Sequence, residues 1–442
     1  MIHSQEEINM AVNTSKKLRN QIIYSIFVRN YSEAGTFAAV QADLDRIRAL
    51  GTDIIWLMPI YPIGKVQRKG SVGSPYAIAD YRKVDPALGT QEDFVQLVEQ
   101  IHTRGMKCIL DIVYNHTSPD SWLLAHHPEY FYRKPDGRLG NRVGDWTDVI
   151  DLDYANRDLW EYQIGTLQMW AKIVDGFRCD VAPLVPLSFW KEARARVAEV
   201  NPDCIWLSES VEPTFIRSLR GQGIAALSDS EIYQAFDMAY DYDIHHIFRD
   251  YVDGKAPLQK YVDAVNMQEV IYPDNYVKAR FLENHDQDRA ASFLKTDAAL
   301  RNWTAFVYFQ KGAALIYAGQ ENQNTHRPSL FEKDPICMDG KHDISPLLTR
   351  LAGIKKLPVM ADSSYSLTAV PELGAVVGVH RGIHCAKQLV GVFSFEDKQG
   401  TVCVPLQDGI YQNLVNGEDV TVQNGQILLS ACPVIAETEE AR

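Results

Sequence analysis

The stretch CILDIVYNH, residues 108–116, decides the fold, because an apolar run of strand length ends there in polar, titratable side chains. Apolar runs of this kind recur along the chain and are separated by amphipathic helical segments. Six further runs lie at residues 22–28, 54–58, 173–179, 205–208, 279–282 and 313–317. Regular alternation of strands and helices predicts an α/β protein whose parallel strands are joined by crossover helices.

The helical segments between these runs are well marked. Residues 36–50 repeat apolar side chains at helical spacing and stop at Gly51. A second helix is predicted to begin after Thr90, where Asp93 completes a capping box. Seven clear strands and a weaker candidate at residues 225–228 favour an eight-stranded (β/α)8 TIM barrel, and a doubly wound open sheet is the alternative that the pattern allows.

Two regions depart from the alternation and predict additional domains. Residues 117–154 are rich in Pro, Gly, Asp and aromatics and are too long for a bare loop, which predicts a small inserted domain after the third strand. Residues 356–442 change to alternating β runs with Asn-Gly pairs at hairpin positions, which predicts a C-terminal antiparallel β domain. The predicted barrel therefore comprises residues 1–116 and 155–355.

Length, composition and charge disfavour several classes of partner. The 442 residues are 46% hydrophobic and 23% charged, as in ordinary folded domains. A formal charge of −13, from 44 Lys and Arg against 57 Asp and Glu, disfavours nucleic acid and anionic membranes. The longest apolar stretch, residues 54–63, contains two prolines and is far shorter than the roughly 20 residues of a membrane helix.

Cysteine usage and the N-terminal sequence bear on the cellular compartment. Seven cysteines without a CxxC pair indicate reduced, buried thiols rather than disulfides or a zinc site. The first twenty residues contain no apolar segment of the kind found in a secretory leader. Both features predict a cytoplasmic protein.

Four segments place titratable residues directly after predicted strands, where barrels and open α/β sheets bind their ligands. A polar cap on a strand end accounts for any single one of them, but four together indicate an active site. The segments are DIVYNH (111–116), GFRCD (176–180), WLSE (206–209) and FLENHD (281–286).

The carboxylates of these segments suit glycoside chemistry. Arg178 and Asp180 face the same side of a strand, so the guanidinium is expected to lower the pKa of Asp180 and keep a nucleophile ionised. Glu209 follows an apolar strand core, where burial is expected to raise its pKa toward that of a general acid. Asp286 beside His285 offers a third carboxylate that can stabilise positive charge at an anomeric carbon. The structural alternatives are an ion pair inside the barrel and a surface glutamate at a strand end.

In this order, the four segments resemble the four signature regions of the α-amylase superfamily of glycoside hydrolases and transglycosylases, and the likeness extends over nearly the whole chain. The resemblance implies that Asp180 is the nucleophile, Glu209 the acid/base and Asp286 the transition-state stabiliser. It also implies a barrel with an insertion after the third strand and a C-terminal β domain. The substrate-binding residues that it implies are Tyr76, from the segment PYAIADYRKVDPALGT (75–90), His116, Arg178, His285 and Arg289.

The chain departs from the family pattern beside the nucleophile. Many α-amylases carry a Lys-His pair there that serves the leaving side and, through the histidine backbone, a structural calcium ion; this chain has Pro183 and Leu184. Asn115 matches the family's calcium-binding asparagine, but no Asp-rich calcium loop supports it. Calcium is therefore allowed but not favoured, and we expect no metal and no other cofactor. The DVA tripeptide at 180–182 is more similar to neopullulanases and cyclomaltodextrinases.

A dinucleotide site is the weaker interpretation of another motif. Gly221, Gly223 and Ala226 fit the pattern G-x-G-x-x-A. The residues before it, 213–220, indicate a helix rather than the required strand, so the glycines are predicted to end that helix.

The residues and the resemblance together predict a retaining glycoside hydrolase that cleaves α-1,4-glucosidic bonds in malto-oligosaccharides or starch-derived glucans. A transglycosylase or isomerase of the same superfamily, similar to neopullulanase or trehalose synthase, is the alternative among enzymes. A catalytically silent sugar-binding relative is the alternative from another class, and the complete carboxylate triad opposes it. The sequence leaves chain-length preference, α-1,6 cleavage and oligomeric state open.

Overall fold

The computed structural model describes residues 13–144, 146–340, 342–396 and 398–439. Eight parallel strands form a closed barrel in which each strand pairs with the next along the chain and the last pairs with the first. The predicted (β/α)8 barrel is therefore confirmed, and the open sheet is excluded. The barrel strands, from first to eighth, are Ile22–Ile26, Ile54–Leu57, Lys107–Ile112, Gly176–Cys179, Ile205–Ser208, Met238–Tyr240, Lys278–Arg280 and Ala313–Tyr317.

The sixth barrel strand is not where the sequence pattern placed it. Residues 225–228 form no strand, so the prediction there is wrong. They lead instead into a short helix, Asp229–Ile232, where Ser228 and Glu231 form a capping box. The true strand, Met238–Tyr240, has only three residues and is too short to stand out as an apolar run.

Helices cover the outside of the barrel, and the predicted capping box at the start of one of them is confirmed. The Asp93 backbone N–H donates to Thr90 Oγ1 at 3.1 Å, and the Thr90 N–H donates to the Asp93 carboxylate at 2.8 Å. The α-helices are Val28–Tyr31, Phe37–Ala42, Leu44–Ala49, Gln91–Thr103, Trp122–His126, Arg157–Trp170, Leu187–Ala198, Pro213–Gly221, Asp229–Ile232, Tyr242–Val252, Leu258–Ile271, Ala290–Phe293, Asp297–Phe309 and Ser345–Lys355. Short 3₁₀ turns lie at Lys16–Asn20, Pro128–Tyr130, Ala182–Leu184, Gln320–Asn322, Pro358–Met360 and Pro371–Leu373.

The helix predicted over residues 36–50 is divided at Asp43. This residue leaves helical geometry, with φ −107° and ψ 4°. Its carboxylate accepts a hydrogen bond from Arg46 Nε at 3.0 Å, so the local polar contact competes with a continuous helix.

The region after the third barrel strand has its own small structure. A two-stranded antiparallel pair joins His116–Thr117 to Ile150–Asp151, and the chain between them contains the helix Trp122–His126. This excursion lies beside the carboxyl end of the barrel, where His116 lines the cleft described below. The exact domain boundaries stay predictions.

The C-terminal antiparallel β domain is confirmed. Its main sheet has four strands, and two small strand pairs complete it. Phe395 of this domain stacks on Trp303 of the barrel helix Asp297–Phe309, with ring centroids 3.7 Å apart. The main sheet contains Ser363–Val370, Ala375–Gly382, Lys387–Ser394 and Val434–Glu439, and the pairs are Thr401–Cys403 with Gln426–Leu428 and Gly409–Gln412 with Asp419–Val422.

The cysteines agree only in part with the prediction that they are buried thiols. All seven cysteines are free, but only Cys108, Cys179 and Cys204 are buried. The prediction of buried thiols is wrong for the other four, of which Cys337 and Cys403 are exposed and Cys385 and Cys432 half-buried. The segment used to predict the absence of a leader lies largely in residues 1–12, outside the described residues. Within the described ranges, no helix combines the length and apolar character that crossing a membrane requires.

Candidate active site

The titratable residues predicted from the sequence converge at the carboxyl end of the barrel. Five of them line a cleft with a cavity of about 510 Å³, namely Tyr76, His116, Asp180, Glu209 and Asp286. Asp180 and Glu209 each stand one residue beyond a strand end, and their backbone N–H groups still donate to the neighbouring strands, at 2.8 Å to Ile112 O and 3.0 Å to Cys179 O. The barrel ladder therefore fixes the position of both carboxylates.

Arg178 organises the carboxylates from beneath. Its side chain is fully buried, and its Nη1 lies 2.9 Å from Asp180 Oδ1 while its Nη2 lies 2.8 Å from Glu209 Oε1. The rings of Trp56 and Tyr240 enclose the guanidinium, with centroids 5.1 and 5.5 Å from Cζ. Because Arg178 has no surface in the cleft, the structure places it as a positioning residue rather than as the substrate contact that the resemblance implies.

Burial separates the roles of Asp180 and Glu209. Burial raises the pKa of Glu209 to about 8 against the opposing effect of Arg178, in the direction expected from the sequence. The expectation for Asp180 is wrong in sign, because burial, together with the carboxylate of Asp111, outweighs Arg178 and raises the pKa of Asp180 to about 6. Near neutral pH, Asp180 is therefore mostly ionised and Glu209 mostly protonated.

Asp286, His285 and Tyr76 form the opposite side of the cleft floor. His285 Nε2 lies 3.1 Å from Asp286 Oδ2 and 2.7 Å from the Tyr76 hydroxyl. The Tyr76 and His285 rings stack with centroids 5.6 Å apart. Burial favours the neutral form of Asp286, but the adjacent His285 prevails and lowers the pKa of Asp286 to about 2. Asp286 therefore carries a fixed negative charge, and its side chain is 40% exposed to the cleft.

His116 lies on the insertion side of Asp180. Its Nε2 is 3.9 Å from Asp180 Oδ2, and its ring contacts Trp146 with centroids 5.5 Å apart. Burial lowers the pKa of His116 to about 4, so the ring is neutral at pH 7. A neutral imidazole beside Asp180 offers a hydrogen bond to a ligand without adding charge.

The residue after Asp180 adopts an unusual backbone conformation that serves Glu209. Val181 has φ 40° and ψ 40°, the left-handed region that a β-branched residue rarely adopts. In this conformation its N–H donates to Glu209 Oε2 at 2.8 Å. Such strain costs about 1–3 kcal/mol and persists where surrounding contacts enforce it, as at ligand sites.

Asp111 is a site residue that the sequence analysis missed. It is fully buried, lies beside Arg178 in the strand register, and its Oδ1 is 2.9 Å from Arg178 Nη1. It also accepts hydrogen bonds from Trp56 Nε1 and the Tyr76 hydroxyl, both at 3.3 Å. An acidic residue within the apolar run CILDIVY was the available signal, because a buried carboxylate requires a cationic partner.

Arg289 is not brought to the cleft. Its side chain has no exposed surface, and its guanidinium donates to Glu283 Oε1 at 2.6 Å and to Ala318 O at 2.9 Å. It therefore secures the loop that carries Asp286, and the substrate contact implied for it does not follow from this arrangement.

The residues around Asn115 do not fit a calcium ion as they are arranged. The acceptor oxygens that face this region converge on Arg142, whose backbone N–H donates to Asp151 at 2.7 Å and whose guanidinium donates to Leu152 O at 2.8 Å and Asp153 at 3.2 Å. The amide of Asn115 contacts the His116 ring at 3.1 Å. Among the described residues, no group of three or more His, Cys, Asp and Glu side chains is placed to hold a metal ion.

The closed parallel barrel carries three carboxylates at its carboxyl end, and an ionised and a protonated carboxyl group side by side suit a glycosidase. The chain belongs to the α-amylase family. The model for the alpha-amylase catalytic domain matches residues 21–134 and 143–341, and the model for the bacterial alpha-amylase C-terminal domain matches residues 366–436.

Solved structures support the same assignment. The crystal structure of an alpha-amylase from Lactobacillus plantarum is 49% identical, has a TM-score of 0.93, and aligns over 96% of this chain and 100% of that chain. A maltogenic alpha-amylase from Thermotoga neapolitana is 34% identical, with a TM-score of 0.85 and coverage of 96% and 100%.

Curated relatives are longer proteins. Alpha-amylase MalA of Haloarcula japonica is 27% identical over 315 residues, which cover 68% of this chain and 44% of that protein. An alpha-1,4-glucan:maltose-1-phosphate maltosyltransferase of Rhodospirillum rubrum is 31% identical over 271 residues, which cover 57% and 36%. The chain thus spans less than half the length of these two curated relatives.

Proposed function

We propose that the chain is a retaining glycoside hydrolase that cleaves α-1,4-glucosidic bonds in malto-oligosaccharides or starch-derived glucans. The observation that carries the proposal is the pair of carboxylates on one buried guanidinium, Asp180 with a pKa of about 6 and Glu209 with a pKa of about 8. A retaining glycosidase needs one ionised and one protonated carboxyl group at the same pH, and this pair supplies both.

In the proposed mechanism, Asp180 attacks the anomeric carbon while Glu209 donates its proton to the leaving oxygen, so the glycosidic bond breaks as a glycosyl ester forms. Glu209, now ionised, then accepts a proton from water as the water oxygen attacks the anomeric carbon and Asp180 leaves. Asp286 stabilises the positive charge that develops on the sugar in both steps. Tyr76 and His116 line the same cleft and hold the sugar, and the buried His285 positions Asp286 and Tyr76.

A transglycosylase is the second candidate, and one observation favours it. A maltosyltransferase is among the relatives that match this chain at about 30% identity. The same carboxylates would then transfer the glycosyl group to a sugar hydroxyl instead of water. We further propose that the protein acts in carbohydrate metabolism in the cytoplasm, which the free and partly exposed cysteines suit.

The decisive test is the configuration of the first product. Proton NMR during the first minutes of hydrolysis of maltotriose should show the α anomer, because two displacements restore the configuration. A β anomer as the first product would refute the retaining mechanism, and absence of product from maltotriose, starch, pullulan and cyclodextrin would favour a silent relative. Product chromatography separates hydrolysis from transfer, since transfer gives oligosaccharides longer than the substrate.

A further inference from the structure

Three segments from different parts of the chain meet on the Tyr76 side of the cleft. One follows the second barrel strand, one belongs to the excursion after the third strand, and one follows the eighth strand. Each contributes side chains that line the cavity. We define the cleft wall as Lys69, Asp148, Leu330 and Phe331.

An ion pair and an aromatic contact join the members of the cleft wall. Lys69 Nζ lies 2.9 Å from Asp148 Oδ1, which connects the loop after the second strand to the excursion. The same ammonium group lies 5.9 Å from the centroid of the Phe331 ring. Asp148 is buried whereas Lys69 is about one-third exposed, so the pair lies at the cleft lining with only its lysine reaching solvent.

Backbone hydrogen bonds hold the wall more firmly than this ion pair does. Phe331 O accepts hydrogen bonds from the N–H groups of Val72 and Gly73, both at 3.1 Å. A buried arginine, Arg29, supports the two loops from beneath, donating to Gly73 O at 3.0 Å and to Leu330 O at 2.6 Å. A partly exposed ion pair alone contributes little stability, but these bonds fix the loops against each other.

Gly70 allows the close approach of the two loops. Its φ is +65°, and a Cβ atom at this position would lie 2.6 Å from Phe331 O, which is backbone and has little freedom to move. Only glycine fits both the conformation and the space. The contact between the loops is therefore a built feature of the chain.

The Glu209 side of the cleft is different in character. It is lined by Val211, Glu212 and Phe215, which follow the fifth barrel strand. Glu212 is exposed, and Val211 and Phe215 are half-buried. This side offers an open, partly apolar surface.

We infer that the cleft wall closes the cleft beyond the retained sugar, so that the protein engages glucan chains by their free non-reducing ends. The inference rests on the proposed function. Glu209 protonates the leaving oxygen, so the leaving part of the chain lies on the open Glu209 side, and the sugar attached to Asp180 lies against Tyr76 and His116. The remainder of the chain, toward its non-reducing end, then meets Lys69 and Phe331. The ligand is a short α-1,4-linked gluco-oligosaccharide or the tip of a longer chain, and Lys69 and Phe331 determine this specificity.

The test compares maltoheptaose with maltoheptaose that carries a benzylidene group on its non-reducing end. Wild-type protein should cleave the blocked substrate at least about tenfold more slowly in kcat/KM, because a pocket discriminates by this order when a ligand does not fit. Lys69→Ala and Phe331→Ala should each reduce this ratio. Lys65→Ala, which removes an exposed lysine from the same loop, is the matched control and should leave it unchanged.

Each result separates the two proposals. Equal rates on the two substrates with wild-type protein would overturn the closed cleft while leaving the glycosidase in place. A wild-type preference that neither Lys69→Ala nor Phe331→Ala reduces would overturn the role of the cleft wall, and activity on the unblocked substrate shows that the variants are folded. Inactivity of the wild type on both substrates would refute the proposed function itself.

Discussion

Replacing Asp111 by asparagine should move the acidic limb of the pH profile to lower pH. In the wild type, kcat/KM should rise as Asp180 ionises, with a pKa of about 6, and fall as Glu209 loses its proton, with a pKa of about 8. The ionised form of Asp180 is opposed by the negative charge of Asp111, which raises the pKa of Asp180. Removing that charge favours ionisation, so the acidic limb falls.

The size of the change follows from the shared guanidinium. One oxygen of Asp111 and one of Asp180 each lie 2.9 Å from Arg178 Nη1, so they are within about 6 Å of each other. At an effective dielectric constant of about 20, two unit charges at about 6 Å interact by about 3 kcal/mol, or about 2 pH units. Asp111 itself has a pKa raised to about 6 by burial, so it is only partly charged where the limb lies. We therefore expect a displacement of about 1 pH unit, from about 6 to about 5.

The assay is kcat/KM for maltotriose from pH 4 to pH 10, with thermal unfolding measured on the same samples. Glu283→Gln is the matched control, because Glu283 is also fully buried and pairs with an arginine, Arg289, but does not line the cleft. Thermal unfolding should show that both variants are folded across this pH range, so that a displaced limb reports ionisation rather than unfolding. Only Asp111→Asn should move the acidic limb. An unchanged limb, or one that moves to higher pH, would refute the account of Asp180 ionisation.

Three further predictions follow from the site. Asp180→Asn should abolish turnover and leave the free energy of unfolding at pH 8 unchanged or up to about 3 kcal/mol higher. The pKa of Asp180 is raised in the folded protein, so ionisation of this carboxyl costs the wild type stability as pH rises through 4 to 6, and the asparagine avoids that cost; marked destabilisation in calorimetry would contradict this. Glu209→Gln should lower kcat/KM on malto-oligosaccharides by about 10²–10⁴-fold but spare kcat/KM on glycosyl fluorides, because kcat/KM reports the first step and fluoride leaves without a proton; equal losses of kcat/KM on both would rule out the acid role. Arg142→Ala should lower the free energy of unfolding by about 1–2 kcal/mol, because it removes the contacts of the guanidinium. Neither calcium added to this variant nor a chelator added to the wild type should change the melting temperature; a melting temperature restored by calcium would show that the oxygens around Arg142 hold an ion.

The architecture could be predicted where the sequence pattern is long and regular. Apolar runs such as Ile205–Ser208 and Ala313–Tyr317 coincide with strands, since buried parallel strands require continuous apolar residues. The sixth strand could not be predicted, because the three residues of Met238–Tyr240 are too few to form a recognisable apolar run. Asp43 divides a predicted helix through side-chain contacts that its spacing does not reveal.

The positions of the site carboxylates could be predicted because parallel strands deliver their carboxyl ends to one face. The contacts of Arg289 could not be predicted, because the fold of its loop decides whether an arginine reaches the cleft or an internal partner. Here Arg289 donates to Glu283, six residues earlier. Arg142 is similar, because its acceptors at Leu152 and Asp153 are local in sequence but converge only when the excursion folds back.

The pKa of Asp180 is raised where the sequence predicted that it would be lowered, because contacts between distant segments decide the direction. Spacing of two on a strand correctly predicted that Arg178 contacts Asp180, but not that the same guanidinium also contacts Asp111 and Glu209. One positive charge shared among three carboxylates cannot offset the burial of all three, so Asp180 and Glu209 hold protons more tightly than free carboxyl groups do. Asp286, with its own partner in His285, escapes this competition and stays ionised. Glycoside cleavage requires one ionised and one protonated carboxyl group. Here that difference arises because Asp111, Asp180 and Glu209 share a single guanidinium, which is a property of the assembled site rather than of any one segment.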